Sequence, residues 1–171
     1  MCRDYATVVG TQSVLTIAGA FGDLGAVALA RLELIAAPAV TEAAAALAGE
    51  WPAELAAEQS TVQLAVVGPI VDRAVRAVAA VDAAGIDPAP LVNAWQAALA
   101  SYDPSDPVVT VAGLPPDAEA ELASAAATYA TAETRYDLDP SVLRTAATPL
   151  TTAYLFDRCP ELSYLIAGDA D

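Results

Sequence analysis

The stretch Leu15-Thr16-Ile17-Ala18-Gly19-Ala20-Phe21-Gly22-Asp23-Leu24-Gly25 decides the fold, because it fits two different periods. Glycines three apart share one face of a helix, where the missing side chains let a second helix approach closely. Residues 15–19 could instead be a short strand, with the glycines as a loop and residues 26–34 as the helix that follows. The first period places the chain among mainly α proteins and the second among α/β proteins with a small parallel sheet. Alanine, about a quarter of the chain, is the strongest helix former and tips the balance to helix. We therefore expect a mainly α, bundle-like single domain over residues 1–153, with a short β element and an extended C-terminal arm at 154–171.

Outward from that stretch, residues 13–37 form one apolar segment stopped at Pro38, and residues 40–50 a shorter alanine-rich one. After Trp51 and Pro52, the apolar positions Leu55, Val62, Val66, Ile70, Val71, Val75, Val78 and Val81 recur at three- to four-residue steps. Glu54, Glu58, Gln63, Asp72, Arg73, Arg76 and Asp82 mostly fall between them, the pattern of a half-buried amphipathic helix. Gly68 and Pro69 predict a kink or split in it, and Asp72 with Arg76, four apart, a surface ion pair. The turn Gly85-Ile86-Asp87-Pro88 leads into a segment anchored by Trp95, and residues 102–107 form a loop. Residues 108–111, β-branched throughout, are the strand candidate. Helix starts follow at Pro115-Pro116-Asp117, leading a helix over 118–134, and at Asp139-Pro140.

The chain has 22 acidic residues against 7 arginines, a formal charge of −15, and neither lysine nor histidine. Without histidine there is no Ser-His-Asp triad, Cys-His pair or HExxH zinc site. Without lysine there is no Schiff base and no Walker A loop. Catalysis would fall to Asp, Glu, Arg, Tyr, Ser or Thr, and the expectation is a non-enzyme with no catalytic, cofactor-binding or metal-binding residues. Carboxylates at this density suit concentrated salt, which screens their repulsion, and they disfavour binding to nucleic acid. The profile resembles that of proteins from halophilic archaea or their viruses, and a high-GC actinobacterial genome gives a similar bias. Mean hydropathy is +0.46, yet the longest apolar stretch, 13–40, is interrupted by Asp23, Arg31 and Glu33. No signal peptide is evident after Arg3 and Asp4, so the expected location is a virion or the cytoplasm, not a membrane.

Gly19, Gly22 and Gly25 form a GxxGxxG that resembles the nucleotide loop of extended short-chain dehydrogenases, over about 20 residues. That resemblance implies a backbone cradle for a dinucleotide pyrophosphate at a helix N-terminus. Residues 64–68 and 109–113, β-branched runs ending in glycine, would then be further βα units. The family's Tyr-x-x-x-Lys pair is impossible here, since the chain has no lysine.

Other candidate groups have plain structural roles to set beside chemical ones. Asp103 with Asp106, and Asp137 with Asp139, could hold a hard cation but lack the ligand spacing of a calcium loop. Arg73 and Arg76 share a face that could bind phosphate or form ion pairs, and Glu119 and Glu121 point to different sides of a helix. Cys2 and Cys159 are expected to be free thiols of a reducing cytoplasm, with a bridge between the termini as the alternative. What these features favour is a structural subunit of a homo-oligomeric assembly, ring-shaped and in contact with other assembly proteins. A head-to-tail adaptor of a tailed virus is its specific form, its acidic lumen letting DNA slide.

Overall fold

The computed structural model describes residues 1–21, 24–49, 51–103, 105, 106, 108–132 and 148–159. The chain is mainly helical, and no strand occurs among the described residues. Helices α1 (Cys2–Tyr5) and α2 (Thr11–Phe21) are joined by a π-helical turn, Ala6–Gly10, and α3 (Ala26–Gly49) follows. A 3-10 turn, Ala53–Leu55, then opens a rod made of α4 (Ala56–Val62), a second π-helical segment (Gln63–Val67) and α5 (Gly68–Ala83). The remaining described helices are α6 (Pro88–Ala100), α7 (Pro116–Ala132) and α8 (Pro149–Arg158).

Helix α3 is the hub, packed by α1, α2, α5, α6 and α7. Its sequence explains the position: an apolar stretch studded with alanine can be approached from several sides, and Leu34, Ile35, Ala36, Ala37, Ala39 and Leu47 are all buried. It is also the one described helix long and apolar enough to cross a membrane, but 67% of its most apolar window is covered by neighbouring helices. Pro38 does not stop it, contrary to the expectation. The ring forfeits one ladder bond, but burial on several sides offsets that loss. One turn on, the Thr41 hydroxyl donates to the carbonyls of Ala37 at 3.2 Å and Pro38 at 2.9 Å. The break in the 13–37 segment falls earlier, between the end of α2 at Phe21 and the start of α3 at Ala26.

The short β element is not formed. Residues 108–111 have no regular structure, because no second strand is present among the described residues to accept the pairing that β-branched side chains favour. The α/β alternative falls with it. Residues 15–19 are the body of α2, residues 64–67 lie in the second π segment, and residues 109–113 are irregular. Gly19 shows why the helical period prevails: a Cβ there would stand 3.2 Å from Leu29 Cδ2 of α3, so the glycine permits the close approach of the two helices.

Gly68 and Pro69 neither split nor end the rod. The helix widens to π register just before them, and a Cβ on Gly68 would meet the Gln63 carbonyl oxygen at 3.1 Å. The wider turn accommodates the missing donor and the bulk of Pro69. The turn before α6 behaves as expected: Gly85 takes φ +71°, and the Asp87 carboxylate accepts from Ala89 N at 3.0 Å. The Asp139-Pro140 helix start lies outside the described residues. So does the arm beyond Cys159, while Tyr154 to Arg158 continue α8 as helix.

Candidate functional site

Helix α5 meets α3 through an ion pair at the edge of a small cavity. Arg73 donates to Glu33 through Nε at 3.1 Å and Nη2 at 2.7 Å, and Glu33 is only 6% exposed. A bidentate guanidinium–carboxylate pair fits the planar geometry of both groups. The cavity beside it, about 20 Å³, is lined by Thr11, Gln12, Glu33 and Arg73 together with the alanines of α3 and α5. That volume suits about one water molecule. Arg73 is thus committed to a buried carboxylate, the ion-pair role rather than the phosphate-binding one weighed for it with Arg76. Arg76 Nη1 donates to the Asp72 backbone carbonyl at 3.1 Å.

The other expected groups also resolve into structural partners. Glu119, in the first turn of α7, receives Arg31 Nη2 on both carboxylate oxygens, at 2.7 and 2.6 Å, which ties α7 to α3. Asp103 accepts from the backbone N–H and hydroxyl of Ser105 at 2.9 and 2.7 Å, bonds that hold its carboxyl below the usual range. Asp106 accepts from Val108 N at 3.2 Å, so both carboxylates organise the loop. No group of three or more potential metal ligands occurs among the described residues. Gly22, Asp137 and Asp139 lie outside them.

Two anchors join elements far apart in sequence, the first with no local signature and the second only an alternative in the sequence reading. Glu58, placed by the periodicity on the polar side of its helix, is buried at 9% exposure and caps α8 from a distance. Its oxygens accept from Leu150 N at 3.0 Å and Thr151 N at 2.7 Å. Desolvation pushes this carboxyl up, but those donors outweigh it and hold it below its ordinary value. Such a contact across more than 90 residues leaves no local signature. The second anchor is a disulfide between Cys2 and Cys159, which corrects the expectation of free thiols. The fold brings α1 and the end of α8 together, and Cys159 is fully buried.

A wider groove of about 430 Å³ lies between the end of α5 and α7, with Ala80, Ala83 and Ala84 on one wall and Glu121, Ser124 and Tyr129 on the other. Its polar groups stand on one wall only, a poor arrangement for orienting a ligand. No family model, no curated protein and no solved structure matches this chain.

The outer surface of the α4–α5 rod has a different character. Leu64 is 80% exposed and Val75 53% exposed, with Ala79 exposed and Val71 half-buried between and beside them. The inner face buries Val62, Val66, Ile70, Ala74, Ala77 and Val81. Helical spacing therefore gives the rod a second apolar stripe on the side away from the core.

Proposed function

We propose that the chain is a non-enzymatic structural subunit of a homo-oligomeric assembly, specifically a virion protein such as a head-to-tail adaptor of a tailed virus, including one from a high-salt habitat. The observation that supports this is the apolar outer stripe of the α4–α5 rod in a chain of net charge −15. Exposed apolar area invites cover, while like charge opposes indiscriminate aggregation. In the chemistry of the described helices, the ionisable groups that approach one another serve as staples between elements: Glu33 with Arg73, Glu119 with Arg31, Glu58 with the start of α8. The disulfide is in keeping with the virion rather than a reducing cytoplasm, since virion surfaces retain such bonds.

An acidic ring would repel DNA phosphates and let a genome pass without sticking. Electron microscopy of the purified full chain in concentrated salt tests the proposal. It should reveal closed rings of one size, and monomers at every salt concentration would end it.

A further inference from the structure

We infer that the outer face of the α4–α5 rod is a self-association surface on which two copies of the chain pair antiparallel about a two-fold axis near Val75. The inference rests on the reading that this chain assembles, and it names one contact of that assembly. Leu64, Gly68, Val71, Val75 and Ala79 follow one another at steps of four, three, four and four residues, so they form one stripe. The rod is about 40 Å long at 1.5 Å per residue. Leu64 and Val75 stand among the most exposed large apolar side chains described, and Gly68 adds no bulk between them.

The charges beside the stripe select the partner and its direction. Asp72 and Arg76, both exposed, lie one turn apart on the same flank of Val75. A two-fold axis level with Ala74, midway between Asp72 and Arg76 and one residue from Val75, reverses the partner helix while keeping that flank on the same side. The partner's Arg76 then comes level with Asp72, and its Asp72 with Arg76. A parallel pair would put these flanks on opposite sides and lose both contacts. The antiparallel arrangement also brings Val75 and its own copy, and Val71 and the partner's Ala79, to within about 3 Å of each other along the helix axis, small side chains that permit close approach.

One helix face buries less than the roughly 800 Å² per partner of a standard interface. The pairing is accordingly weak, and it strengthens as salt screens the repulsion between two strongly acidic chains. A two-fold contact closes on itself, so a ring needs a second, head-to-tail surface.

Sedimentation equilibrium of the full chain, from low salt to about 1 M, tests the inference. Self-association that passes through a dimer and tightens with salt is expected. Val75→Glu should weaken it at least about tenfold, with an unchanged circular dichroism melt, since the side chain is half exposed. Asp72→Arg and Arg76→Asp should each weaken pairing, and the double exchange should restore it. Absence of self-association at any salt would overturn both this inference and the assembly proposal. Self-association indifferent to Val75→Glu and to the charge exchanges would overturn this surface alone. Failure of the double exchange to restore pairing would overturn the antiparallel geometry.

Discussion

Alanine 74 and alanine 77 hold core positions on α5, while the larger Val75 faces outward. Periodicity in the sequence picks out Val62, Val66, Ile70 and Val81 as core residues, and they are buried. It also favours Val75 over its alanine neighbours, because hydropathy weighs side-chain size and the packing here demands closeness to α3. Arg73 and Glu33 were equally hard to foresee: 40 positions separate them, and each looks like a solvated charge in its own helix. Removing one partner of such a buried pair leaves the other charge without its counter-ion. Arg73→Met is expected to cost about 3 kcal/mol, and Glu33→Met with Arg73→Met together less than either alone, as measured by urea unfolding. For Glu58 the sign is set by its lowered folded-state pKa. Its contribution is present above the unfolded-state value and is lost as pH falls through the folded-state value. Amide exchange at Leu150 and Thr151 should therefore accelerate in acid, and Glu58→Gln should show much of that acceleration already at neutral pH.

Among the elements, α3 and the α4–α5 rod show where local rules yield to packing. Proline and glycine punctuate the sequence at 38, 68 and 69, yet two of the longest helical segments run through those points. Burial of α3 on several sides keeps Pro38 inside the helix, and a π turn absorbs Pro69. Trp95, by contrast, is legible: the apolar face of α6 predicts a buried anchor, and its Nε1 donates to Thr11 Oγ1 at 2.7 Å. Residues 108–111 carry the right side chains for a strand but have no partner strand among the described residues. Helix α8 buries only Thr151 and Leu155 among its own residues, so the Cys2–Cys159 bond and Glu58 are its chief moorings. Reduction should lower global stability by about 2–5 kcal/mol. Hydrogen exchange should show the loss first in residues 149–158, with α3 and α5 still protected.

For the molecule as a whole, composition was the most legible property and the least specific. The absence of lysine and histidine removes many familiar catalytic templates at once, and the helical class follows from alanine content, whereas of the glycines read as one helix face Gly19 lies in α2 and Gly25 lies before the start of α3. The outer stripe and the two tertiary anchors depend on how helices far apart in sequence come to lie, which no local pattern encodes. A net charge of −15 makes salt a structural variable. The thermal midpoint should rise between low salt and about 1 M, where screening acts within about 3 Å. The measurement that bears most directly on the central claim is sedimentation velocity of the oxidised full chain in about 1 M salt. A discrete closed oligomer in equilibrium with smaller species is expected, and a single monomeric boundary at every concentration and salt would rule assembly out.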